Sequence, residues 1–299
     1  MPKAKLTLSG GQALLGAAFL FAFTNVLVRE MADMWGDQAQ VAIRFALVWL
    51  ILVVFTYLTK SEKRVIPPTK RVTAIAYSLI AALSILFFTL SVQATTIANT
   101  LFTSNATELF VAFLLGSILL GEKITFKKIF AIGLAVIGLV LYSDSILVGS
   151  AGVIFGMLGG AATALCNLCA KKLKGVDLGA IMRLQFGLGA IFMIVLTLTF
   201  SPNDILRTVS IEGTIATLLF ALILIAATRL VLYGFQNSDI NIASVILSSQ
   251  LAFGALLGFF IYQETLTQPE MISGLLILCA AILGGLAQKP TAKDIQIHS

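Results

Sequence analysis

Long apolar runs separated by short polar breaks fill this chain from end to end. Ten of the runs approach the ~20 mostly apolar residues that a helix needs to cross a bilayer. They are 9–29, 38–59, 71–93, 97–120, 125–143, 149–170, 178–200, 211–236, 240–262 and 268–287. The two longest breaks carry turn chemistry, Pro67-Pro68 within 60–70 and Pro202-Asn203 within 201–210. Nothing between the runs is large enough for an extramembrane domain. The stretch from Gly10 to Phe23 has the apolar character of a signal peptide. It lacks a small-residue cleavage site and many spans follow it, so it reads as a first span.

The pattern is also written twice. Asn99–Thr125 matches Asn241–Thr267 at a shift of 142 residues, aligning Leu114-Leu115-Gly116 with Leu256-Leu257-Gly258 and Glu122 with Glu264. The same shift carries Asn25 of the first span onto Asn167 of the sixth. Arg44 and Arg183 correspond at a shift of 139, each following an aspartate at a span edge, Asp37 or Asp177. Five spans per copy is an odd number, so the second copy enters the membrane upside down. Function is to be sought between the copies.

Composition agrees with a chain dissolved in lipid. It is 59% hydrophobic and 11% charged, with a mean hydropathy of +1.00, whereas soluble domains have roughly 25% charged residues. A net charge of +6 suggests nucleic acid only until placement is considered. Fifteen of the 20 Lys and Arg residues fall on one side of the spans, and two, Arg29 and Arg207, on the other. Arg44, Arg183 and Arg229 lie inside spans. Positive segments stay cytoplasmic, so both termini are expected inside, with 288–299 as a cytoplasmic tail. Short tails without organelle-targeting features point to a cell inner (plasma) membrane. Cys166, Cys169 and Cys279 sit within apolar runs. The Cys166-Asn-Leu-Cys169 spacing is read as packing ahead of redox or metal chemistry.

An Arg-Phe pair early in the second span (Arg44-Phe45) and Gly-Glu-x-Ile-Thr after the fourth (Gly121 to Thr125) add a further signature. With order, duplication and topology, the chain resembles the drug/metabolite transporter superfamily, especially members with two EamA-type units. That resemblance implies an all-α integral membrane protein of ten transmembrane helices. Two inverted five-helix repeats, 9–143 and 149–287, would surround a central cavity with spans 1–4 and 6–9. Spans 5 and 10 would pack outside. Two departures stand out: Ala106-Thr107-Glu108 where family members often have a proline, and Gln263-Glu264 in place of Gly-Glu.

Ionisable residues within spans are costly and normally face a cavity or a partner. Glu108, Arg229, Arg44 and Arg183 are therefore the leading substrate-binding candidates. Three of them also have a structural reading: a salt bridge to an arginine for Glu108, and pairing with Asp37, Asp177 or a helix end for Arg44 and Arg183. Burial disfavours a charged carboxyl and a neighbouring arginine favours it, so Glu108 is expected to couple transport to protons or bind a substrate amino group. Thr100, Thr103, Ser104, Thr107 and Glu108 share one helical stripe. Asn25, Asn167, Gln93, Ser104, Tyr233 and Ser248 complete the candidate lining, with Ser244, Gln185, Gln236 and Gln250 nearby; each alone is commonly an interhelical hydrogen bond. Gly152, Gly156 and Gly160, like Gly254 and Gly258, are expected to let helices approach closely. Glu122 and Glu264 read as helix caps.

No catalytic residue, cofactor or metal site is expected. His298 is the lone histidine, and there is no phosphate-binding loop or carboxylate cluster. The expected function is a secondary transporter moving a small organic metabolite by alternating access. Three arginines against one glutamate favour an amino-acid-like substrate, carboxylate-bearing or zwitterionic. The partners are that substrate, the lipid bilayer and protons as a candidate coupling ion, without nucleic acid, in a monomer or homodimer. The rivals are a membrane-embedded enzyme acting on a lipid or lipid-linked substrate, and a channel.

Overall fold

A computed structural model describes residues 9–59, 65–95, 97–142, 151–262 and 268–287. Among these residues the chain forms eleven helices: α1 (Gly10–Ala32), α2 (Asp37–Leu58), α3 (Pro68–Ala94), α4 (Ile97–Leu119), α5 (Phe126–Tyr142), α6 (Ala151–Lys172), α7 (Leu178–Phe200), α8 (Ile211–Asn237), α9 (Ile240–Leu247), α10 (Gln250–Tyr262) and α11 (Gln268–Ala287). Six of them, α2, α3, α4, α6, α7 and α8, are long and apolar enough to cross a membrane. Shorter apolar segments lie in Gly10–Thr24, Ile240–Gly254 and Met271–Leu283.

Local sequence explains several boundaries. Ser9 and Gln12 form a reciprocal capping box at the start of α1, which satisfies two otherwise orphaned donors. Asp177 accepts from the N–H of Ala180, and Ser210 from that of Gly213, at the starts of α7 and α8. Pro68 occupies the first turn of α3, where its missing N–H does no harm. Gly175, at φ 86°, makes the left-handed turn between α6 and α7.

The run 240–262 does not form the single helix that its apolar pattern predicts. It breaks at Ser248-Ser249. The Ser248 hydroxyl donates to the Val245 carbonyl and that of Ser249 to Ile246, both at 2.7 Å. Two neighbouring hydroxyls thus capture carbonyls of the preceding turn, a competition that bends or interrupts helices.

The helices pack as intimate pairs: α1 along α8, α3 along α6, α2 along α7, and α5 along α11. Helix α4 lies against α6 and touches α9. Small residues allow the closest approaches. A side chain at Gly138 of α5 would meet Ile277 of α11 at 2.8 Å, and there Ser273 donates to the Gly138 carbonyl. One apolar core runs through α1–α3 and α6–α9, and a smaller one joins α5 and α11 to α4, α9 and α10. Phe55, Phe110, Ile118, Leu218 and Phe260 remain exposed, as an apolar shell facing lipid would be.

At one end of the bundle the α1–α2 turn meets the α7–α8 loop. The Gly36 N–H donates to Ile205 and that of Arg207 to Met34. The opposite end carries Lys70, Lys172 and Lys174, where Lys70 donates to the Lys172 carbonyl.

Candidate functional site: a buried carboxylate between three helices

Glu108 is buried where α4, α6 and α9 meet. Asn167 of α6 donates its Nδ2 to Glu108 Oε1 at 3.0 Å. Ser244 of α9 lies within reach of the same carboxylate, although its hydroxyl makes no hydrogen bond of normal geometry. Among the described residues no Lys or Arg lies within ion-pair distance of Glu108. The helices are held there by absence of bulk: a side chain at Gly160 of α6 would strike the Ser104 carbonyl and come within 3.0 Å of the Glu108 nitrogen.

The polar stripe on α4 faces this glycine stripe. Thr100, Thr103, Ser104 and Glu108 are buried, and Thr107 is half-buried. Gly156 gives room to Thr103, and Gly152 to Thr95. Ser91 of α3 joins them, donating to the Gly152 carbonyl at 2.7 Å and accepting from Thr100 Oγ1 at 2.9 Å. Close backbone approach therefore lets short hydroxyls satisfy one another across three helices. On α10 the outcome differs, for a side chain at Gly254 would meet nothing within 4 Å among the described residues.

Of the candidate residues, Glu108 and Asn167 are brought together, with Ser104 one turn away. Arg44 is buried between α2 and α8, where it donates to Gln40 and lies 4.3 Å from the centre of the Phe220 ring. Its Nε has no partner among the described residues. Arg183 is half-buried on α7 and donates to Thr56 of α2 at 3.1 Å. Arg229 is exposed on α8, and Tyr233 is half-buried one turn on. Ser248 is buried, its hydroxyl committed to the break between α9 and α10. The side chains of Asn25, Gln93 and Gly258, like Glu264 and the tail 288–299, lie outside the described residues.

One neighbour of the carboxylate had no strong signal in the sequence. Cys166 lies in electrostatic range of Glu108 and directs its Sγ at the Tyr77 carbonyl, 3.8 Å away. Tyr77 itself is buried on α3. All three cysteines are free, and among the described residues no His, Cys, Asp and Glu group is placed to hold a metal.

A second polar centre closes the basic end. Glu122, just past α4, accepts from the backbone N–H groups of Ile240 and Asn241 at 2.8 and 3.4 Å. It thereby caps α9, a helix in the other half of the chain, where a carboxylate meets the positive end of the helix dipole. Lys171 of α6 pairs with Glu122 at 2.6 Å and donates to the Ser238 carbonyl. Lys128 of α5 pairs with Asp239 at 2.7 Å. A repeat signal for Lys171 was available, because it stands 142 residues after Arg29 as Glu264 does after Glu122.

Two successive segments of the chain, 8–143 and 150–285, match the EamA-like transporter family. The chain belongs to that family. An Archaeoglobus fulgidus protein described as an uncharacterized transporter is 24% identical over 280 residues, covering 92% of this chain and 95% of the relative. A protein of known crystal structure superposes with a TM-score of 0.74 at 15% identity, covering 96% of this chain and 99% of its own; this likeness speaks to the fold alone. This EamA-family protein is accordingly a multi-pass membrane transporter. As such it acts on small molecules within a lipid bilayer.

Proposed function

We propose that this EamA-family protein is a secondary transporter of a small amine-bearing metabolite, amino-acid-like and zwitterionic. It works by alternating access between inverted repeats, 9–143 and 149–287, in a cell inner membrane with both termini cytoplasmic. The pairing of helices supports the inverted reading. Under the 142-residue correspondence α1 maps to α6 and α3 to α8, so the pairs α1–α8 and α6–α3 exchange, while α2–α7 and α5–α11 map onto themselves.

The substrate reading is carried by one observation: Glu108 is a buried carboxylate at a three-helix junction, with an amide partner and no described cation beside it. A buried charge is stable only when paired or hydrogen-bonded. A substrate ammonium, or a proton, is the partner the site calls for. Arg44, buried with its Nε unpartnered among the described residues, is the candidate cation for the carboxylate of such a substrate.

The test is uptake of labelled amino acids, amines and organic acids into vesicles holding the purified protein, with Glu108→Gln alongside. Saturable uptake, accelerated by unlabelled substrate on the far side, is expected for an amine-bearing compound. A hydrogen bond to a charged group contributes about 1.5–3 kcal/mol, so Glu108→Gln should lower kcat/KM by roughly ten- to a hundredfold. Loss of proton-driven accumulation with exchange retained assigns Glu108 to coupling. Wild-type transport by Glu108→Gln removes it from the mechanism, and product formation or unsaturable flux would defeat the transporter reading itself.

A further inference from the structure

We propose that the cleft between α2 and α7 is a binding site for one anionic phospholipid, with Arg183 taking its phosphate. This inference does not depend on the identity of the transported substrate. The cleft has a volume of about 350 Å³ and is lined by Ala46 and Trp49 of α2 and by Arg183, Gly187, Ile191 and Ile194 of α7. Gly187 forms its floor, since a side chain there would meet the Trp49 indole nitrogen at 2.8 Å. Trp49, Ile191 and Ile194 are all exposed, so the cleft opens sideways, towards lipid.

Three features name the occupant. Arg183 is the single charged residue in an otherwise apolar lining, and among the described residues it has only a neutral partner, Thr56. A half-buried guanidinium without a carboxylate suits a phosphate, which it can hold through paired N–H groups. Depth is the second feature. Arg183 lies five residues beyond the start of α7, about 8 Å along it at ~1.5 Å per residue. Ile194 lies eleven residues further on, and the intervening ~16 Å is about half of a ~30 Å hydrocarbon core. The cleft therefore has one cation at headgroup depth and an apolar trough as long as one leaflet. Third, this end of the bundle also exposes Arg71, Lys172 and Lys174, and basic side chains at a membrane surface concentrate anionic lipid.

Native mass spectrometry of the full chain in detergent tests the idea, with phosphatidylglycerol and phosphatidylcholine of identical acyl chains as probes. One phosphatidylglycerol per chain should be retained about fivefold more strongly than phosphatidylcholine, the size expected from one basic residue near an anionic surface. Arg183→Gln should abolish that preference, Arg183→Lys should keep most of it, and Ile191→Trp should fill the trough and weaken both lipids. Inorganic phosphate should not displace the lipid. Equal binding of the two lipids overturns the proposal, as does a preference that survives Arg183→Gln. So does an Ile191→Cys variant that cross-links to a second copy in native membranes, because the cleft would then be a subunit interface. Should Arg183→Gln fail to fold, Arg183→Lys and Ile191→Trp decide between the same outcomes.

Discussion

Helix α4 runs unbroken from Ile97 to Leu119, whereas the matching stretch 142 residues later is cut at Ser248-Ser249 into α9 and α10. Their neighbours explain much of the difference. Helix α6 presents Gly152, Gly156 and Gly160 to α3 and α4, and the α4 hydroxyls lodge in the space. At the corresponding positions α1 presents Gly10, Leu14 and Ala18. Leu14 projects against Gly234 of α8 instead. Helix α1 thus offers α9 and α10 no glycine trough of this kind, and among the described residues α10 keeps open space beside Gly254. Meanwhile every residue of α9 is buried, so the break divides the run 240–262 into an anchored part and a looser one. A repeated pattern sets which residues face the centre; the facing helix sets how tightly they are held.

The largest effect should come from the point where the two copies are tied. Glu122 of the first caps α9 of the second and pairs with Lys171, with Glu122 nearly buried and Lys171 about one-fifth exposed. Removing one partner of a buried ion pair costs 3–5 kcal/mol, so Lys171→Met should lose about 3 kcal/mol at the low end of that range. Chemical denaturation in detergent measures it. Adding Glu122→Gln should recover part of the loss, because the stranded charge is then gone. If Lys171→Met is neutral, α9 is not anchored through α4 and the contrast between the halves fails.

Next in size is a paired substitution that addresses packing directly. Gly160→Ala puts a methyl group into the backbone of α4 and should cost about 1–3 kcal/mol as overpacking. Gly254→Ala meets open space and should stabilise its helix by about 0.5–1 kcal/mol. Thermal unfolding of the two variants reads the asymmetry, and equal shifts would show that α4 and α10 are held alike. The smallest effect belongs to the break. Ser248→Ala with Ser249→Ala removes two hydroxyl bonds worth ~0.6 kcal/mol each in a membrane interior. A loss of about 1 kcal/mol with slower substrate exchange is expected if the bend serves movement. Unchanged exchange would make the bend purely structural.

Much of this was legible beforehand because lipid leaves few options. A chain that must hide its backbone polar groups shows its spans as apolar runs; the expected bounds of the seventh and tenth runs, 178–200 and 268–287, are those of α7 and α11. Glu108 announced itself because an acid that deep needs a reason, and Glu122 announced itself as a cap by sitting at a junction. The break at Ser248-Ser249 was hidden, since serine fits both a straight and a bent helix until the hydroxyl chooses a carbonyl.

By itself, the sequence determined an all-helical chain of the EamA-like family and the stripe of α4 that faces inward, because hydropathy and helical period are local properties. Tertiary structure alone decided which charges meet. Arg44 and Arg183 occupy equivalent positions, yet one is buried beside Gln40 and Phe220 and the other opens onto a lipid-facing cleft. Glu108 has an asparagine beside it instead of an arginine. Neither outcome can be read along one strand of sequence, because a charge inside a membrane is stabilised by whatever the neighbouring helices bring to it.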